Sequence, residues 1–334
     1  MGEREKVGGA QVYRLGSGVK TADFLPGLPC TARLPASTIL GMFSGSIVAL
    51  VTPMKVDGAV DDEALERLVE FHIANGTNGI VAVGTTGESP TLSVEEHIGV
   101  VRTVVRRAAK RIPVIAGTGA NSTREAIELT QLAKDAGADA CLMVTPYYNK
   151  PTQEGLFQHY KTVAEHVSIP IILYNVPSRT SCDMKPETVE RLAAAVPNIV
   201  GIKEAASLER NREHFARVGG RLALLSGDDD LACECVLAGY QGVVSVSANV
   251  APRQVRNVIA AALDGNRELA RKLDAQMQRL HKAMFLETNP IPVKWAVARL
   301  GLIQDGIRLP LVPLSKQFHG QVMEAIQSAG IGFA

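Results

Sequence analysis

One lysine stands where an apolar run turns polar. Residues 198–206 read Asn-Ile-Val-Gly-Ile-Lys-Glu-Ala-Ala, so Ile199, Val200 and Ile202 lead into Lys203. A short β-branched run of this kind reads as a buried strand rather than an amphipathic helix. A lysine at its end loses much of its water, which disfavours the charged ammonium. The neutral amine is a nucleophile able to form a Schiff base with a carbonyl compound. Two plainer readings compete: a stem covered by apolar surface with its head in water, or an ion pair with Glu204.

Other residues offer matching chemistry. Tyr174 ends an apolar run and Tyr148 follows another, and phenols can pass protons to and from a carbinolamine. The turn Gly84-Thr85-Thr86-Gly87 offers two hydroxyls and several backbone N–H groups, a cradle suited to a carboxylate. Arg179 follows Pro177 and Ser178, where a guanidinium fork could hold a second carboxylate. Each has a bland reading as a packed tyrosine, a satisfied turn or a solvated arginine. What joins them is that all stand at the ends of apolar runs.

Eight such runs recur, at about 46–52, 79–83, 112–116, 140–145, 170–174, 199–203, 222–226 and 242–246, with helical patterns between them. Strands alternating with helices predict βαβ units and a parallel sheet. Ser93 with Glu96, and Ser122 with Glu125, have capping-box spacing. Behind the first, Val94, Ile98, Val101, Val105 and Ala108 form one apolar stripe. No Gly-x-Gly-x-x-Gly follows the first run, and polar residues end most of the eight. That pattern favours a closed (β/α)8 TIM barrel over an open doubly wound sheet, with the polar ends forming the site face. Residues 264–334 lose the strand signal. A stripe at Leu269, Leu273, Met277, Leu280 and Met284, then helical patterns at 293–300 and about 315–328, predict a C-terminal helical extension to a barrel over 42–263. Residues 1–41 are rich in Gly and Pro and read as a leader, disordered or preceding the true start at Met42.

Composition narrows the function. Of 334 residues, 35 are basic and 34 acidic, with no basic block, which argues against nucleic-acid or membrane partners and for a small-molecule role. The five scattered cysteines predict a reducing, cytoplasmic setting without a disulfide framework. Cys233 and Cys235 have no partner pair at zinc spacing, so no metal is expected.

The segments Val-Gly-Thr-Thr-Gly-Glu-Ser (83–89), Ala-Gly-Thr-Gly-Ala-Asn (116–121), Val-Thr-Pro-Tyr-Tyr-Asn (144–149), Leu-Tyr-Asn-Val-Pro-Ser-Arg-Thr (173–180), Gly-Ile-Lys-Glu-Ala (201–205), Leu-Ser-Gly-Asp-Asp (225–229) and Asn-Pro-Ile-Pro-Val-Lys-Trp (289–295) resemble those of the dihydrodipicolinate synthase family of pyruvate-dependent class I aldolases. The likeness runs from Met42 to the C-terminus. It implies that Lys203 forms a Schiff base with pyruvate and that Tyr174 is the general acid/base, relayed through Thr85 and a Tyr148 from a neighbouring subunit. Thr86 would hold the pyruvate carboxylate, Arg179 the carboxylate of aspartate semialdehyde, and Gly227 and Val244 would line the pyruvate pocket. Many members carry isoleucine where this chain has Val244.

The same resemblance implies an allosteric lysine site at Ser89, Pro90, His97, Asn121, Glu125 and Tyr147, with Val94 where some sensitive members have histidine. It implies no cofactor beyond the lysine imine, and a homotetramer built as a dimer of dimers. The rivals are a sister enzyme such as N-acetylneuraminate lyase and a non-catalytic ligand-binding barrel. Arg179 separates the first, because a sugar acid calls for hydroxyl partners there. The joint presence of Lys203, Tyr174, Thr85 and Tyr148 separates the second.

Overall fold

The computed structural model describes residues 41–332. The expected leader lies outside the described residues, apart from Gly41, and so does Cys30. Eight strands close into a barrel in chain order: β1 (Gly45–Ala49), β2 (Gly79–Ala82), β3 (Val114–Gly117), β4 (Ala140–Val144), β5 (Ile171–Asn175), β6 (Ile199–Glu204), β7 (Ala223–Ser226) and β8 (Gly242–Ser245). All neighbours are parallel, and β8 closes on β1 through Gly45–Gly242 and Ile47–Val244. The expected runs and the strands coincide within three residues. β3 and β5 start late because Pro113 and Pro170 have no N–H to donate; their carbonyls still accept from Ile80 and Cys141.

Alternation along each strand separates two apolar layers. Ile47, Val81, Ile115, Leu142, Ile172 and Leu225 fill the barrel interior. Val48, Ile80, Ala116 and Leu173 face the helices. With few aromatics, both layers are aliphatic, each fully buried branched side chain contributing about 1.5–3 kcal/mol.

The helices between strands include α1 (Asp62–Ala74), α2 (Val94–Ala108), α3 (Thr123–Asp135), α4 (Gln153–His166), α5 (Pro186–Ala195), α6 (Leu208–Val218), α7 (Ala232–Leu237) and α8 (Pro252–Leu263). The Ser93–Glu96 capping box is complete. Ser122 accepts from Glu125 N, but the reciprocal bond is missing because Glu125 turns toward a cavity described below. The α2 stripe buries Ile98, Val101 and Ala108, whereas Val94, in the exposed first turn, is 48 % exposed.

Beyond the barrel come α9 (Arg267–Ala283), α10 (Ile291–Arg299) and α11 (Lys316–Ser328), the expected extension. Met277, Leu280 and Met284 are buried, while Leu269 at the first turn of α9 is exposed. α9 packs on α8 and α11. Among the described residues no helix is long and apolar enough to cross a membrane.

Candidate active site

The polar strand ends open on a cavity of about 740 Å³ at the C-terminal end of the barrel. Thr85, Thr86, Tyr174, Arg179, Lys203 and Gly227 all line it, as the sequence led us to expect. Barrel geometry puts such ends on one rim.

Lys203 reaches this cavity through an irregularity in β6. Ile171 pairs with Ile199, but Ile172 pairs with Gly201, which leaves Val200 as the extra residue of a bulge. Ile199 and Ile202 both face the helices, while Val200 sits in the interior. Strict alternation from Ile199 would turn Lys203 outward; one extra residue shifts the phase and turns it inward. Gly201 permits the kink, since a Cβ there would lie 2.8 Å from the Ala223 carbonyl oxygen.

Lys203 is 5 % exposed, and its Nζ lies 4.2 Å from the centre of the Tyr174 ring, its cross-strand neighbour. The ion pair with Glu204 that competed as a reading does not form. Glu204 points the other way, accepting from His214 Nε2 (2.8 Å) on α6 and from Asn175 Nδ2 (3.0 and 3.2 Å). Asn175 Oδ1 in turn accepts from Met184 N (3.0 Å). Gly227 leaves room beside the lysine: a Cβ there would sit 3.1 Å from Lys203 Cε.

The Gly84–Glu88 turn is tight. Gly87 N and Ser89 N both donate to Gly84 O, and Glu88 N donates to Thr85 O. Val83 and Glu88 bracket it with φ of 54° and 57°. A β-branched residue held there costs on the order of 1–3 kcal/mol, so its surroundings must over-determine the conformation. They do so from far along the chain. The buried Glu88 carboxylate pairs with Lys294 of α10 and accepts from Arg308 N (3.2 Å). Asn289 Nδ2 donates to Thr86 Oγ1 (3.0 Å), and Arg179 Nη2 donates to the Asn289 carbonyl (3.3 Å). Burial pushes Lys294 below the ordinary lysine range and Glu88 pulls it back. The Thr85 hydroxyl has no partner among the described residues.

Two expected residues lie elsewhere. Val244 is buried in the barrel interior with Tyr174, and Val246, two residues on, reaches the cavity instead. Tyr148 is 89 % exposed, with φ of 69°, and does not line the cavity of its own chain.

A second cavity of about 390 Å³ adjoins the first, with Thr85, Tyr174 and Arg179 on the shared wall. Ser89, Pro90, His97, Glu125 and Tyr147 line it; Asn121 does not, although its carbonyl accepts from Asn149 Nδ2 (2.9 Å). Burial lowers the His97 pKa, so its neutral ring donates Nε2–H to Gly117 O (2.8 Å).

Sequence reasoning did not single out Asp228, which also lines the main cavity. Burial pushes its carboxyl up to about 7, against the pull of Lys203. Cys233 and Cys235 are buried in α7, and burial raises their thiols to about 12 and about 11. Among the described residues, no cluster of three or more His, Cys, Asp or Glu could hold a metal ion.

Residues 42–329 match the Dihydrodipicolinate synthetase family. The 4-hydroxy-tetrahydrodipicolinate synthase of Thioalkalivibrio sulfidiphilus is 60 % identical over 291 residues, 87 % of this chain and 99 % of that one. Among solved structures, the chloride-inhibited dihydrodipicolinate synthase of Acinetobacter baumannii, complexed with pyruvate, superposes with a TM-score of 0.85 at 56 % identity, covering 86 % of this chain and 99 % of its own. The lysine-bound enzyme of Cyanidioschyzon merolae gives 0.85 at 38 % identity, with 87 % and 99 % covered.

Proposed function

The chain belongs to the dihydrodipicolinate synthetase family, and on that premise we propose the reaction its cavity carries out. It is a lyase that condenses pyruvate with L-aspartate 4-semialdehyde through a Schiff base and cyclises the product to 4-hydroxy-tetrahydrodipicolinate. This is the first committed step of lysine and diaminopimelate biosynthesis. The observation that carries the mechanism is Lys203: buried at the cavity wall, without a carboxylate partner, and against the Tyr174 ring.

The neutral Lys203 amine attacks the pyruvate carbonyl, and Tyr174 passes protons as the carbinolamine loses water. The resulting imine is the electron sink, so no further cofactor enters. It makes the pyruvate methyl acidic, and the enamine attacks the aldehyde. Thr86 and the neighbouring backbone N–H groups hold the pyruvate carboxylate, and Gly227 leaves space for it. Arg179, exposed at the mouth and anchored to Asn289, takes the carboxylate of the second substrate. Thr85, its hydroxyl uncommitted, links Tyr174 to Tyr148.

That relay requires Tyr148 from a neighbouring copy, because in its own chain it points to solvent. A homotetramer, as a dimer of dimers, supplies it; full activity in a monomeric species by sedimentation would refute that supply. The second cavity would take lysine as a feedback inhibitor, with Glu125 facing the ammonium. Full activity at saturating lysine, with no binding by calorimetry, would remove this role. The setting is cytoplasmic.

The central test is borohydride reduction in the presence of pyruvate, with mass mapping of the modified peptide. The reading expects a stable secondary amine on Lys203; no adduct, or one elsewhere, would sink it. Comparing aspartate semialdehyde with N-acetylmannosamine as the second substrate fixes specificity, and the former should turn over.

A further inference from the structure

Three adjacent aspartates follow Gly227, and the first two differ. Asp229 is committed: its carboxylate accepts from Ser245 Oγ, Val246 N (2.9 Å) and Ser247 N (2.9 Å), tying β7 to the end of β8. Asp228 is not. Its backbone is fixed, since Ser226 Oγ donates to its carbonyl (2.9 Å) and its N–H donates back (3.3 Å). Its side chain has no hydrogen-bond or ion-pair partner among the described residues. It lines the cavity shared with Lys203, Tyr174 and Arg179, next to Gly227, where an added Cβ would meet Lys203 Cε at 3.1 Å. Glu287 is the other carboxylate lining that cavity, and it is tied back to Ser315 N (3.3 Å). A half-buried acid kept free of partners beside a lysine costs stability, which points to a use.

The proposed reaction has a step that the residues assigned so far leave unserved. The second substrate carries an aldehyde, a carboxylate and an ammonium. Arg179 meets the carboxylate and the enamine consumes the aldehyde, but ring closure needs the ammonium as a free amine. We propose that Asp228 receives the ammonium of the second substrate and takes its proton for cyclisation. The inference rests on the condensation proposed above.

The step balances. After C–C bond formation the open adduct is an iminium on Lys203 with an ammonium at its far end. Asp228 accepts one proton from that ammonium. The amine nitrogen then bonds to the iminium carbon, giving a carbon that bears both nitrogens. A proton moves from the new ring nitrogen to the lysine nitrogen. The bond from carbon to the lysine nitrogen breaks as the ring nitrogen lone pair forms the cyclic iminium, and Lys203 leaves as a neutral amine. Asp228 returns its proton to water as product departs. A base that holds its proton near neutrality can do both. Burial sets Asp228 there, with Asp229, Asp230 and Glu204 pushing the same way and Lys203 opposing.

The test uses the full chain, with Asp228→Asn and Asp228→Glu, and two aldehydes: aspartate semialdehyde and 4-oxobutanoate, the same aldehyde without its amino group. For Asp228→Asn we expect pyruvate still trapped on Lys203 by borohydride and 4-oxobutanoate still adding within about twofold of the unsubstituted enzyme. With aspartate semialdehyde, kcat/KM should fall about 100-fold, the ordinary worth of a general base. The open adduct should then be trapped on Lys203, and Asp228→Glu should recover part of the rate. An unchanged kcat/KM with aspartate semialdehyde, or an equal loss with both aldehydes, overturns the role. Failure of the unsubstituted enzyme to trap pyruvate on Lys203 overturns the condensation itself, and this inference with it.

Discussion

Lys203 and Lys294 are both buried, at 5 % and 4 % exposure, and do opposite work. Lys294 pairs with Glu88, whose side chain is also out of water, and together they pin the turn carrying Thr85 and Thr86. Lys203 has no carboxylate within ion-pair reach; it lies over the Tyr174 ring, while its neighbour Glu204 spends its charge on His214 and Asn175 behind the strand. Burial is therefore not what marks a nucleophile. A paired lysine is held in place by its partner and becomes part of the frame. An unpaired one at a cavity wall is open to a substrate.

The sharpest way to break this contrast is to remove the amines one at a time. Lys203→Ala should lower kcat by at least about 10³-fold, and Lys203→Arg as much, because a guanidinium stays protonated and forms no imine. A variant keeping a tenth of the rate would show that Lys203 is not the nucleophile. Lys294→Met should instead cost about 3–5 kcal/mol in denaturant titration, because it strands the Glu88 carboxylate. Adding Glu88→Gln to it should recover much of that loss, since the double variant buries no charge; simple additivity would mean the two groups are uncoupled. The smallest effect should come from behind Lys203. Asn175→Ala removes the one amide group that donates to both Glu204 and Asp183, and should cost about 1–3 kcal/mol of stability. Pyruvate should still be trapped on Lys203 in that variant.

Much of the frame was legible because it is written locally. Apolar runs of five to seven residues mark all eight strands, and Ser93 with Glu96 marks a cap that forms. The rim residues were legible because barrel closure brings strand ends together. What stayed hidden depends on contacts no local period reports. Glu88 and Lys294 stand 206 residues apart, and only the folded barrel brings them together. Val244 faces inward as expected, yet the cavity floor begins nearer Val246. Asp228 and Asp229 look alike in the chain, and only the Ser245 hydroxyl with the Val246 and Ser247 N–H groups tells the committed one from the free one. The glycine inside the Lys203 run was visible as a break in the strand pattern, but its effect on facing was not.

The β6 bulge carries a consequence for anyone transplanting this chemistry. A strand's facing is a matter of parity, and one extra residue at Val200 inverts it. Straightening the bulge while keeping every residue would leave the chain's composition unchanged, yet it would swing Lys203 under the helices and bring Glu204 into the cavity, exchanging an amine for an acid. A designed barrel with ideal, unbulged strands would need the lysine one position earlier or later than it stands here. Copying the motif without its irregularity would copy the letters and lose the site.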